Sequence, residues 1–199
     1  MDNGAPKYRV RFYKGDYRDR QAEANRDGAV CYVEHHFNSC GFPEVGYTVV
    51  IVGSNASKIS MEWGRWYAQA IAREFGTKVG GDDGIQVGGY SGRGNANIYY
   101  TRMPAILVEP LFASNPDQAE LIRSDEGRER LARILVESIR EFFPDGGLVA
   151  FSIGHKYKKS NPGDRGAKLR GGGTEADYAE LVLIRAKEML ESADSLGRE

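Results

Sequence analysis

The chain has 199 residues, 41% of them hydrophobic and 28% charged, with 27 basic against 28 acidic side chains and a formal net charge of -1. This length implies one domain over residues 1–199 with enough apolar material for a core. The balanced charge argues against a general nucleic-acid binder, which needs a surplus of Lys and Arg, and no run of about 18 apolar residues is available to span a membrane.

In chain order, the N-terminus MDNGAPKYRVRFYKGD has no apolar run after its first charges, so no ordinary secretory signal peptide is expected. KYRVRFY (7–13) alternates with Tyr8, Val10 and Phe12 on one face and predicts a strand. The polar stretch 17–27 predicts a short surface helix ending before Gly28. AVCYVEH (29–35) and YTVVIV (47–52) predict two further strands. From Ser57 to Phe75, Trp63, Trp66, Tyr67, Ala70 and Ile71 recur at helical spacing, and Gly76 stands as the C-terminal cap. The Gly- and Asp-rich stretch 80–94 predicts a long loop. PAILV (104–108) predicts a short buried strand. Ser124 predicts an N-cap for a helix presenting Leu131, Leu135, Ile139 and Phe142 on one face and stopped by Pro144. LVAFSI (148–153) predicts another strand, 156–173 a basic Gly-rich loop, and Thr174 to Asp177 a capping box opening a helix to about Ala193. Alternating strands and helices predict an α/β three-layer sandwich: a largely parallel or mixed twisted sheet of about five to six strands with helices on both faces.

Cys31 and Cys40 are too few for a disulfide scaffold and are expected to be reduced, since a bond between them needs a tight return of the chain. The three histidines, His35, His36 and His155, must supply any imidazole chemistry. In open α/β sheets, sites gather beyond the carboxyl ends of strands. Three of these ends carry His35-His36, Glu109 and Gly154-His155, and they converge if their strands are parallel neighbours. Glu175, opening the helix after the last of these strands, can reach the same rim. Two histidines and a carboxylate are a common catalytic zinc set, with a further carboxylate as general base. His35 and His36 cannot both face the site, because successive strand side chains point to opposite sides. Isolated histidines are more often structural. Glu109, inside the apolar segment VEPLF, is costly to bury unless it is paired or functional.

PAILVEPLFASNPDQAELI (104–122) resembles the Pro-x-hydrophobic-Leu-Val-Glu-x-x-Phe-x-Ser-Asn segment of zinc-dependent N-acetylmuramoyl-L-alanine amidases, cell-wall hydrolases of the Amidase-3 type. VEHHFNS (33–39) is similar to that family's Ser-Ile-His-Ala-Asn-Ser segment, which makes His36 the zinc-binding histidine. RFYKGDYRDRQAEAN (11–25) resembles the stretch before it, with Arg20 and Ala24-Asn25 in register. GHKYKKSNPGDRGA (154–167) resembles the family's Gly-His-Gly…Asp-Pro-Gly-Ala motif, whose histidine, here His155, is the first zinc ligand. The ligand glutamate of the following helix corresponds to Glu175, with Glu180 on the same helix as the alternative.

The resemblance covers nearly the whole chain, but the Gly-His segment comes last here and first in the family. The sequence therefore resembles a circular permutation, in which residues 145–199 correspond to the family's N-terminal segment. This requires Met1 and Glu199 to lie near each other; otherwise residues 145–199 complete a neighbouring molecule in a swapped dimer. Departures from the family pattern are Lys156 after the first histidine, a longer 155–164 loop, Glu34-His35 in place of Ser-Ile, and Arg165 in place of Pro.

The resemblance implies that His36, His155 and Glu175 hold Zn²⁺ and that Glu109 takes a proton from water and returns it to the leaving amine. The substrate it implies is the amide between N-acetylmuramic acid and L-alanine in peptidoglycan. A protein made in the cytoplasm and acting on the bacterial cell wall, including a phage-type lysin, fits this reading. Another zinc amidohydrolase or peptidase on the same scaffold, and a non-catalytic wall-binding or structural domain, are the competing readings. The basic loop suits peptide carboxylates or is simply solvated. Tyr90, Tyr99 and Tyr100 suit stacking on substrate or packing, and Asn38 suits a turn or a ligand-orienting role.

Overall fold

The computed structural model describes residues 6–192. Its strands are β1 (Tyr8–Phe12), β2 (Cys31–His35), β3 (Tyr47–Val52), β4 (Lys78–Val79), β5 (Ile85–Val87), β6 (Gly89–Tyr90), β7 (Arg93–Gly94), β8 (Ala105–Glu109) and β9 (Gly147–Ile153). Its helices are α1 (Tyr17–Arg26), α2 (Lys58–Phe75), α3 (Pro116–Arg123), α4 (Asp125–Phe142) and α5 (Glu175–Glu191), with a short 3₁₀ turn at Asn95–Asn97.

Seven strands form one mixed sheet in the order β1-β9-β2-β8-β3-β4, with β5 also pairing β3, and β6 and β7 form a separate hairpin. The neighbours β1, β9, β2 and β8 run parallel, whereas β3 is antiparallel to β8. The mixed α/β class agrees with the sequence pattern, and the strand count exceeds the expected five to six. The expected loop over 80–94 contains three of the extra strands. They escape the alternation test because each is too short: in β5 only Ile85 is buried. Helix α3 was not foreseen either. It buries only Ala119 and Ile122, too few for a visible stripe, but its start is written locally, with the Asn115 side chain accepting from Gln118 N–H and Pro116 in the first turn.

The pleat divides the sheet between two unequal layers. Cys31, Val33, Ile106, Val108, Val149 and Phe151 join the thick core beneath α2, α4 and α5. Their alternates Tyr32, Leu107 and Ala150 join a small cluster beneath α1 and Ile98. In the thick layer Trp63 donates its indole N–H to Ser138 Oγ at 3.0 Å, tying α2 to α4. Fully burying a side chain such as Ile71 or Leu135 contributes about 1.5–3 kcal/mol. The thin layer is more polar. Helix α1, expected on the surface, sinks Arg20, Gln21 and Ala24.

All three helices expected to be capped are, and for α4 the Ser124 side chain accepts from Gly127 N–H. Ser57 accepts from Ser60 N–H and Gly76 adopts a left-handed φ of 64° at the ends of α2. Thr174 and Asp177 form the capping box of α5. The far end of α5 docks on the first strand: Val10 N–H donates to Glu191 Oε1 at 2.7 Å. Met1 and Glu199 lie outside the described residues. Both cysteines are free, Cys31 buried and Cys40 exposed.

Candidate active site

The register of the parallel strands brings three chain ends to one rim. His35 pairs with Val108 on one side and Ile153 on the other, so His36, Glu109 and Gly154 each leave the sheet at the same level. Backbone bonds continue the ladder one step further, from His36 N–H to Val108 O and from Gly154 N–H to His35 O, both at 2.9 Å. Gly154 is needed at this point, because a Cβ there would overlap the His36 ring.

His36, His155 and Glu175 meet here, with candidate ligand atoms all within 4.8 Å of one another. Glu175 Oε1 lies 3.0 Å from His36 Nδ1 and 3.1 Å from His155 Nε2, and the imidazole centroids are 4.9 Å apart. His36 comes from the first quarter of the chain and His155 and Glu175 from its last. Glu180, the alternative on α5, is engaged elsewhere by Lys156 Nζ and the Tyr157 hydroxyl.

The far nitrogen of each histidine meets its own carboxylate. His155 Nδ1 faces Asp164 Oδ1 at 2.9 Å, and His36 Nε2 faces Glu34 Oε1 at 2.9 Å. Carboxylates in this position fix the tautomer and ring orientation of metal-binding histidines. On its own, burial would lower His36; the bonds to Glu175 and Glu34 overrule it and lift the imidazole to about 10. Burial likewise opposes ionisation of Glu34 and Glu175, but their histidine partners hold both near 2. Without a metal the cluster thus demands a proton as its positive charge. A divalent cation among one carboxylate and two imidazoles supplies that charge instead, and two nitrogens with one oxygen suit zinc. The donor set therefore fits a metal ion.

His35 takes the opposite course. The pleat turns it into the thick core against Phe37, at 5.0 Å between ring centroids, and neither ring nitrogen has a hydrogen-bond partner among the described residues. Burial, with the neighbouring His36 charge second, drives it down to about 3, so it stays neutral.

Glu109 lines the same cleft, a cavity of about 400 Å³ that also contains His36, His155 and Glu175. Its Oε2 is buried without a hydrogen-bond partner among the described residues. Burial raises its affinity for a proton; the His36 charge opposes this and the Glu175 charge reinforces it. A carboxylate with a free oxygen and raised basicity is suited to take a proton from water.

Around the rest of the rim, much of the charge and several rings are engaged within the protein. Lys156, Lys158 and Lys159 are paired with Glu180, Asp164 and Asp19, so much of the basic loop's charge is neutralised locally. Tyr99 and Tyr100 stack edge to face on each other, outside the cleft, while Tyr90, Arg93 and Asn38 line it. Glu34, Arg20 and Asn97 behind His36 were given no role by sequence reasoning. The available signal was an acid inside a strand whose every residue is buried.

The sequence profile of the N-acetylmuramoyl-L-alanine amidase family, type Amidase-3, matches residues 6–141, more than half of the chain. The chain belongs to this family. The catalytic domain of CwlV, an N-acetylmuramoyl-L-alanine amidase from Bacillus (Paenibacillus) polymyxa var. colistinus, is 25% identical and superposes with a TM-score of 0.53, covering 65% of this chain and 66% of that one. An N-acetylmuramoyl-L-alanine amidase from Clostridium difficile 630 is 20% identical with a TM-score of 0.55, at the same coverages. AmiC2 of Nostoc punctiforme is 20% identical with a TM-score of 0.51, covering 64% and 65%. The chain thus spans slightly less than two thirds of these solved structures. Comparison with curated protein sequences gave no match. The family segment includes His36 and Glu109 but ends before His155 and Glu175. No helix among the described residues is long and apolar enough to cross a membrane.

Proposed function

We propose that the chain is a zinc-dependent amidase that hydrolyses the bond between N-acetylmuramic acid and L-alanine in peptidoglycan. The observation that carries this reading is the buried Glu109 Oε2, without a hydrogen-bond partner among the described residues, sharing one cleft with the His36, His155 and Glu175 group. Family membership supports the substrate class.

His36, His155 and Glu175 would hold the metal. When bound, the cation supplies Lewis acidity, polarising a carbonyl oxygen and lowering the pKa of water to about 7. Glu109 accepts the proton of the attacking water and passes it to the departing nitrogen, so the amine leaves neutral. Glu34 and Asp164 keep the imidazoles oriented throughout. The open cleft admits a polymer strand, and Tyr90 and Arg93 on the β6–β7 hairpin border the path. The protein acts on the bacterial cell wall, including as a phage-type lysin.

The family order of segments is circularly permuted in this reading, over one domain of residues 1–199. Two observations support it: the matched segment stops before β9, and the end of α5 docks on β1 where the family's helix would lead into that strand. A chain rearranged to begin at residue 145 and end at residue 144 should then fold and keep its activity.

The deciding experiment is digestion of purified peptidoglycan, with identification of newly freed amino termini and zinc analysis of the same preparation. Free L-alanine amino ends and near-stoichiometric zinc are expected. New termini at another residue would make the protein a peptidase, and zinc uptake without any lysis would make it a binding module.

A further inference from the structure

The partner of His36 behind the metal group is itself part of an extended buried network. Glu34 is fully buried in the thin layer. Its Oε1 meets His36 Nε2 at 2.9 Å and accepts from Asn97 Nδ2 at 2.5 Å, while its Oε2 accepts from Ser152 Oγ at 2.9 Å. Arg20, equally buried, lies 3.8 Å from the same Oε2. The Arg20 guanidinium also donates to Ser152 Oγ, to Ile153 O at 3.0 Å and to Lys156 O. Those two carbonyls bracket Gly154-His155, the turn in which His155 stands at a left-handed φ of 62°.

We propose that Glu34 is a positioning residue that, through its hydrogen bond to His36 Nε2 and its contact with Arg20, sets the geometry of both histidines of the metal centre.

The chemistry follows from the bonds. A carboxylate accepting from Nε2–H keeps the other nitrogen, Nδ1, as the lone-pair side, and Nδ1 is the atom that faces Glu175. Asn97, Ser152 and, at 3.4 Å, the Tyr32 hydroxyl occupy the remaining acceptor positions, which holds the carboxylate in place. Arg20 supplies the counter-charge and, through the carbonyls on either side of the His155 turn, carries the same constraint to the second histidine. A serine, the residue of the family pattern at this position, is too short and uncharged to do this. Outer-shell carboxylates of this kind typically change metal affinity 10–100-fold.

The inference rests on the metal-centre reading, and its test separates the two. Zinc affinity is measured by competition with a chromophoric chelator on the full chain and on Glu34→Gln, and the visible absorption of the cobalt-loaded proteins is recorded. Glu34→Gln should bind zinc about 10–100-fold more weakly, with a changed cobalt spectrum. Because Glu34→Gln leaves the Arg20 charge buried without its counter-ion, the double variant Arg20→Met, Glu34→Leu removes both charges and serves as the second probe. It should fold, as judged by circular dichroism, and still bind zinc weakly. Restored zinc affinity in the double variant would reduce Glu34 to a neutraliser of Arg20 and overturn the proposal. So would an unchanged zinc affinity and cobalt spectrum in Glu34→Gln. If the unaltered protein takes up no zinc, the metal-centre reading falls and this proposal falls with it; if it takes up zinc and the variants match it, only this proposal falls.

Discussion

The two histidines of the site are held by different means. His36 continues a central strand, with its own N–H donating to Val108 O and the preceding His35 O accepting from Gly154 N–H, and its ring is backed by a fully buried carboxylate. His155 sits where the chain has left the sheet, in a left-handed turn, with its ring backed by the half-buried Asp164, which also accepts from Lys158 at 2.7 Å and from Gly166 N–H at 3.0 Å. The first is positioned by the sheet register, which cannot slip without turning a whole strand over. The second depends on side-chain bonds within a glycine-rich loop. Precision at one end of the site is therefore a property of the core, and at the other a property of local turns.

The largest effect expected lies on neither histidine. Glu109→Gln should reduce amidase turnover by about 10²–10⁴-fold while zinc content stays unchanged, measured by release of L-alanine termini and by metal analysis. Because burial raises the Glu109 carboxyl above its unfolded value, its stabilising neutral form prevails at low pH and is lost as pH rises through the folded value. The metal-free Glu109→Gln protein should therefore melt higher than the metal-free parent at pH 7.

On the sheet side, Gly154→Ala drives a Cβ into the His36 ring. We expect zinc affinity to fall by at least about tenfold, with folding retained, by chelator competition and circular dichroism. On the loop side, Asp164→Asn keeps the shape but weakens the acceptor for His155, and a smaller loss, near the tenfold end of that range, is expected. If Asp164→Asn proves the more damaging, the contrast between a core-held and a loop-held histidine is wrong.

pH sharpens the same contrast in metal-free protein. His36 is lifted from 6.5 to about 10, so its stabilisation is complete below pH 6.5 and disappears as pH rises through about 10. Glu34 and Glu175, lowered from 4.5 to about 2, stabilise above pH 4.5 and lose this as pH falls through about 2. The melting temperature should accordingly fall on both sides of a plateau between about pH 4.5 and 6.5. Removing Glu34 should flatten both limbs more than removing Asp164 flattens either. The smallest effect belongs to the loop's end: Thr174→Ala removes one half of the α5 capping box and should cost about 1 kcal/mol in chemical denaturation.

Much of this was legible in the residues. The alternation of KYRVRFY, the apolar run of YTVVIV, the Ser57 and Gly76 brackets of α2 and the capping box at Thr174 are local signals, and each element formed where its signal stood. The residues His36, Glu109, His155 and Glu175 could be named from motifs ending strands or opening a helix. Helix α3 and the strands over 78–94 carry too little pattern to predict, with two turns in the helix and two or three residues in each strand. The network of Arg20, Glu34 and Asn97 was missed for another reason: nothing in a one-dimensional pattern says which face of a buried strand a glutamate will meet, or what will wait for it there.

Period and capping, then, determined the elements and the residue types at their ends, because the bonds and contacts involved span only a few positions. The tertiary structure alone decided that β9, from the far end of the chain, would insert between β1 and β2. That insertion brings His36 and His155 together across 119 positions and sets Glu175, not Glu180, beside them. It also aims His35 into the core and Glu34 toward Arg20. These outcomes depend on sheet order and register, which arise from burial summed over the whole molecule and not from any neighbouring residues.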